Sequence, residues 1–123
     1  MSDRDFLEEL FSSVDGAVLK RMFGGIGVFC DGVMIAIVID DEIYLKTDET
    51  TRKRFEAEGC APFTYYRSNG RAVSLSYWRI PQRLIDDGES FTDWSCEARR
   101  VALAAASIGS KTRRRRKAAS FDE

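Results

Sequence analysis

The sequence predicts an α+β fold, a two-layer α-β(3-4)-α-β(2)-α sandwich on an antiparallel sheet. Three observations carry this. The chain opens with apolar residues at helical spacing, the period then changes to two over four short β-rich runs, and a second helix-then-hairpin alternation closes on one long apolar stripe.

Phe6, Leu7, Leu10, Phe11 and Val14 draw the first amphipathic helix, with Ser2 or Asp3 placed to cap it and Asp15-Gly16 to stop it. Val18 to Phe23, Ile26 to Cys30, Val33 to Ile39 and Ile43 to Lys46 are the β-rich runs. Gly24-Gly25, Asp31-Gly32 and Asp40-Asp41 separate them as hairpin turns, which makes an antiparallel meander. Asp48 suits the cap of a second helix, Glu49 to Glu58, anchored inward by Phe55 and ended by Gly59. Phe63 to Arg67 and Ala72 to Arg79 flank Asn69-Gly70, a strong hairpin signal. Pro81 opens a short helix over Gln82 to Asp87, closed by Gly88. Ser90 or Thr92 then caps the last helix, whose Trp94, Ala98, Val101, Ala105 and Ile108 form one stripe ending at Gly109. Residues 1–109 make one domain, and residues 110–123 read as a basic tail, expected to be disordered.

Val33 to Ile39 does not alternate, as an antiparallel strand with one wet face should. It is therefore expected to be a central strand covered on both faces. Either helices or a curled sheet edge cover the second face, or a homodimer partner or another protein does.

Composition excludes more chemistry than it suggests. Formal charge is −1, yet residues 110–123 hold six Lys/Arg and two acids, leaving 13 Lys/Arg against 18 Asp/Glu in residues 1–109, a net −5. The chain has no histidine, which removes Ser-His and Cys-His nucleophile pairs, His-containing zinc sites and imidazole as a base. Cys30, Cys60 and Cys96 form no C-x-x-C pair and too few ligands for a Cys-only zinc site. They read as reduced thiols of a cytoplasmic protein, with Cys30 a buried small hydrophobe. Acids interrupt the N-terminal region where a signal peptide would need an apolar stretch, and the longest uncharged apolar run falls short of the about 20 residues a membrane span requires. No catalytic, cofactor or metal site is therefore expected.

Arg21-Met22-Phe23-Gly24-Gly25-Ile26-Gly27 invites a phosphate-loop reading, but no Gly-Lys-Ser/Thr follows and the next element reads as a strand. The glycines are expected to shape a tight turn or bulge. Ser74, Ser76, Tyr77, Trp78 and Arg79 form a polar-aromatic strand end. Trp78 and Arg79 suit a contact surface for a partner, whereas the alternative has Val73, Leu75 and Tyr77 pointing into the core while Trp78 closes the sheet edge. Asp40-Asp41-Glu42 lacks calcium-loop spacing and reads as a solvated turn.

Arg-Met-Phe-Gly-Gly at 21–25, Asp31-Gly32-Val33-Met34, Ile43-Tyr44-Leu45-Lys46-Thr47-Asp48, Pro62-Phe63-Thr64-Tyr65 and Ser76-Tyr77-Trp78-Arg79-Ile80-Pro81, in that order, resemble the N-terminal domain of the TfoX/Sxy competence-regulator family. The resemblance runs from about Phe6 to Ala106. It implies an α-β-β-β-α-β-β-α sandwich like that of type III secretion chaperones, and a bacterial regulator of transcription and DNA-uptake competence acting with the cyclic-AMP receptor protein. Arg21, Met22, Phe23, Gly24, Gly25, Tyr77, Trp78 and Arg79 would then be the family motif and partner surface. A homodimer is expected from the chaperone-like fold and the non-alternating strand. Longer members carry a second helical domain suggestive of nucleic-acid binding, and the basic segment stands here where that domain would begin.

The leading reading is thus a non-enzymatic binding module with a protein partner in the transcription machinery. The alternative is a nucleic-acid-associating protein whose Lys111, Arg113, Arg114, Arg115, Arg116 and Lys117 contact phosphates without sequence preference. Fluorescence anisotropy on two unrelated duplexes decides this. Tail-dependent binding of about 10⁻⁴–10⁻⁶ M, with a log–log salt slope of about −5, is the expected result. Equal binding by residues 1–109, or strong preference for one duplex, would reject the tail as the contact.

Overall fold

A computed structural model describes residues 4–22 and 24–121, with side chains described through Ser107. The elements run α1 (Arg4–Phe11), β1 (Val18–Met22), β2 (Gly25–Cys30), β3 (Val33–Ile39), β4 (Glu42–Lys46), α2 (Arg52–Ala57), β5 (Pro62–Tyr66), β6 (Ala72–Arg79), a 3₁₀ turn (Gln82–Ile85) and α3 (Gly88–Phe121). The strands form one antiparallel sheet in the order β1-β2-β3-β4-β6-β5. This is the expected α+β architecture, with β3 inside the sheet.

Turn chemistry sets the meander. Asp31 and Gly32 have φ of 51° and 81°, and Asp40 and Asp41 have 51° and 65°. Paired positive φ values give the hairpin twist that matches the strands, and Asp is among the few side chains that tolerate this region. Gly24 takes φ 75° between β1 and β2. Gly25 solves a different problem: a Cβ there would run into the Val38 carbonyl and lie 2.8 Å from Ile39 Cγ1.

The helices cover one face of the sheet. Leu7 and Phe11 of α1, Phe55 of α2, and Phe91, Trp94, Ala98 and Ala102 of α3 pack on Val28, Ile35, Ala36, Val38, Ile43 and Leu45. Edge-to-face contacts of Phe11 with Phe91 at 5.0 Å and Phe55 with Trp94 at 4.8 Å between ring centroids lock the layer. α2 starts at Arg52 with Thr51 at its N-cap, later than the Glu49 start read from the sequence, and Asp48 caps the turn leading into it: its Oδ1 accepts from Thr51 N at 2.8 Å and Thr50 N at 3.0 Å, while Thr51 Oγ1 accepts from Asp48 N at 3.0 Å.

The last helix departs from the sequence reading. Asp87, not Ser90 or Thr92, caps α3, accepting from Ser90 N at 3.2 Å and Ser90 Oγ at 2.8 Å. The helix starts one turn early because Asp87 offers a carboxylate to the free N–H groups of its first turn. The stripe is buried at Trp94, Ala98 and Val101, but Ala105 is exposed because α3 has passed the edge of the sheet, and the core ends at Ala102. The α3 backbone passes Gly109 and runs to Phe121. Ile108 and the basic residues Lys111 to Lys117 lie outside the residues whose side chains are described, as does the expectation that this tail contacts nucleic acid.

β3 explains its own lack of alternation. Val28 pairs with Ala36 and Phe29 with Met34, so Ile35 is an extra residue bulged out of register. The bulge shifts the phase of the pleat, letting Ile35, Ala36 and Val38 all join the core while Ile37 turns to the opposite face. Ile35 and Ala36 are fully buried and Ile37 is 8% exposed.

Replacing Gly24 by Ala forces a side chain into positive φ and is expected to cost about 1 kcal/mol. Gly25→Ala meets backbone that cannot yield and is expected to cost more, about 2 kcal/mol or above. Urea unfolding midpoints measure both. A neutral Gly25→Ala would mean that β2 and β3 do not pack as described.

Candidate functional site

The sheet face away from the helices is apolar as well. Met22 of β1, Met34, Ile37 and Ile39 of β3, Phe63 and Tyr65 of β5 and Leu75 of β6 line a depression of ≈ 530 Å³. Its volume lies within the range of ligand and peptide sites. β1 and β5 are the two outermost strands of six. In a flat sheet with about 4.8 Å between strands they would stand about 24 Å apart, and side chains close that span: Met22 reaches across β2 over Gly27, and Phe63 reaches in from β5 to Tyr44 of β4. This face is a trough floored by the inner strands.

Gly27 shapes the floor. It is buried in the middle of β2, where a Cβ would run into Met22 Sδ, stand 2.9 Å from Phe29 Cε1 and 3.2 Å from Met34 Sδ. The missing side chain lets two methionines lie across the strand, and flexible thioethers suit surfaces that adapt to what they bind. The wall on the far side is aromatic: Phe63 meets Tyr44 edge-to-face at 5.2 Å and stacks with Tyr65 at 6.4 Å.

Polar groups around the trough are few and mostly engaged. The Tyr77 hydroxyl donates to the Met34 carbonyl at 3.0 Å, and burial pushes its pKa up to about 12. Lys46 donates to Ser76 Oγ at 2.6 Å and its ammonium lies 5.1 Å from the Tyr77 ring, while burial lowers its pKa. Burial raises the Tyr44 hydroxyl too, helped by the Glu42 carboxylate and opposed by Arg79. Lys20 sits 5.3 Å from the Phe29 ring. Arg79 and Glu42 approach to 4.0 Å.

The motif residues singled out from the sequence divide between the two faces. Met22 enters the trough, and Tyr77 and Arg79 sit on the trough side through their pairing with Lys46 and Tyr44. Trp78 pairs with Leu45 and packs half-buried against the helix-side core. Arg21 is exposed, Gly24 and Gly25 form the turn, and Phe23 lies outside the described residues. Arg21, Met22, Gly24, Gly25, Ile26, Val38 and Asp40 border a separate open hollow, and its turn leads into strand β2, so no helix N-terminus is there to hold a phosphate.

One orientation is reversed from expectation. Val73, Leu75 and Tyr77 do share a side, but it is the trough side, and Trp78 is the core residue. The reason is that β5 and β6 extend past the helical layer, where Thr64, Ser74 and Ser76 are exposed and Thr64 Oγ1 lies 3.1 Å from Ser74 Oγ. Apolar company for that hairpin exists only across the trough.

Cys30 is buried, its Sγ 3.7 Å from the Asp15 carbonyl and its pKa raised by burial, as a small hydrophobe should be. Cys60 is half-buried and Cys96 exposed, both unpaired. Among the described residues, no cluster of three or more His, Cys, Asp and Glu has the geometry to hold a metal ion, and no helix is long and apolar enough to cross a membrane.

A family model described as the TfoX N-terminal domain matches residues 9–102. That is well over half of the chain, which therefore belongs to this family. No curated protein matches it.

The Tyr77 hydroxyl supplies the test of the trough floor. Tyr77→Phe leaves the Met34 carbonyl without this donor and is expected to cost about 1 kcal/mol. A phenol whose folded pKa is raised contributes stability that is complete below its unfolded pKa of about 10 and is lost as pH rises through its folded value. In urea titrations the difference between wild type and Tyr77→Phe should shrink between about pH 10 and 12. A difference independent of pH over that window would remove the buried hydroxyl from the account.

Proposed function

We propose that this TfoX N-terminal domain is a non-enzymatic binding module of the cytoplasm that regulates transcription in DNA-uptake competence through a protein partner seated in the trough. The observation that carries the reading is the trough: a concave apolar face on a sheet whose other face already holds the helices and the core. An apolar hollow of this volume with few polar groups around it is where a small domain is expected to bind. Family membership supports the regulatory part, because the family it resembles is associated with competence regulation.

Binding fits better than turnover. The Tyr77 hydroxyl, which reaches the trough floor, is spent on a backbone carbonyl. The lining offers shape and apolar surface, which hold a partner but do not move protons.

RNA sequencing of the source cell tests the reading. Leu75→Glu, checked for folding by circular dichroism, should reproduce the transcript changes of a deletion strain. Lys53→Glu, on the exposed surface of α2, should leave transcripts as in wild type. Transcripts unaffected by deletion, or a Leu75→Glu strain like wild type, would overturn it.

A further inference from the structure

We infer that the occupant of the trough is an amphipathic α-helix with acidic flanks, laid with its apolar stripe against Met22, Met34, Ile37 and Leu75. This rests on the trough being a partner surface, and it adds the shape and charge of the partner.

Shape comes first. The trough is concave, so its complement is convex. A second copy of the same face would set one hollow against another and leave a void of about twice the single volume, which close-packed interfaces avoid. A helix is a cylinder about 10 Å across, and one laid on a sheet face is the ordinary way an apolar face is covered. A long side chain from such a helix meets the two methionines over Gly27, where the floor adapts to it.

Charge then selects the flanks. The strand positions on the trough side carry Lys20, Lys46 and Arg79 against Glu42 alone, and Glu42 already faces Arg79. Asp40 and Asp41 at one end balance this count, so the excess of cations is confined to the strand positions along the trough, on a domain whose residues 1–109 carry a net −5. Two copies face to face would bring the same cation-bearing strands together, and the chain's own Lys111 to Lys117 run carries the same sign. A helix with Glu or Asp beside its apolar stripe is attracted. The remaining nearby acids, Asp40 and Asp41, sit in the β3–β4 turn at one end of the trough. That end suits the positive N-terminal end of the helix.

The probe is a synthetic helix of about 18 residues, roughly 27 Å long, with a leucine stripe flanked by glutamates. Two controls keep the stripe with lysine flanks, or keep the glutamates with the leucines dispersed around the helix. Fluorescence anisotropy on the full chain should show saturable, salt-sensitive binding of the glutamate-flanked helix, about tenfold or more tighter than the lysine-flanked one. The dispersed control should not bind. Lys20→Glu with Lys46→Glu should reverse the preference for flank charge, and Leu75→Glu should abolish binding. If Leu75→Glu does not fold, Tyr65→Glu at the exposed rim serves the same purpose.

Equal binding of both flanked helices would overturn the charge assignment. Absence of binding by either, or a dimer mass in light scattering that Leu75→Glu converts to monomer, would overturn the helix as occupant. In both cases the transcript experiment still judges the regulatory reading separately.

Discussion

Six strands present two apolar faces, and the helices of one small domain cover only one of them. Most features of the molecule follow from that imbalance. The helix side takes the aromatic anchors Phe11, Phe55, Phe91 and Trp94 and forms the core. The other side is left with methionines, isoleucines and aromatics that lower their exposure by lying over one another across the strands, and the trough is what remains between them.

Backbone details shape both faces. The bulge at Ile35 changes the phase of β3 in mid-strand, bends it and feeds one strand's apolar residues to both layers. Gly25 allows the end of β2 to lie against the Val38 carbonyl, and Gly27 leaves the floor flat enough for the two thioethers. The register also shifts between Pro62 and Thr64 where β5 meets β6, beside the aromatic wall.

Much of this was legible in the residues. The order of elements follows from turn dipeptides and changes of period, and β3 and β6 have the bounds read from their patterns. The non-alternating Val33 to Ile39 pointed to an inner strand apolar on both faces, and the bulge at Ile35, rather than cover on the second face, accounts for the run of buried residues. The trough itself was harder to see. Its walls come from β1, β3, β5 and β6, and only tertiary pairing shows that Met22 and Leu75 share a surface. The alternation of Val73, Leu75 and Tyr77 with serines marks one apolar side, yet no periodicity says whether that side meets helices or solvent. Trp78 misled for the same reason, since a tryptophan near the end of a strand that runs into Pro81 suits an edge as well as a core. The cap of α3 was missed because Asp87, Ser90 and Thr92 are all competent capping residues, and the packing of Phe91 decides among them.

The pairing of β4 with β6 has a consequence for how the molecule assembles. β1 through β4 are consecutive hairpins, and β5 with β6 is another, so each unit forms through contacts near in sequence. They are joined by three paired positions, Tyr44 with Arg79, Leu45 with Trp78 and Lys46 with Tyr77, reached only after the chain has closed over α2. Local pairings form early and this closure late, because loop entropy must be overcome before the contacts are gained. The trough draws its walls from both units, so it is complete only once this joint has closed. A partner held there stabilises that late-forming joint by mass action, and the domain becomes most resistant to unfolding when occupied.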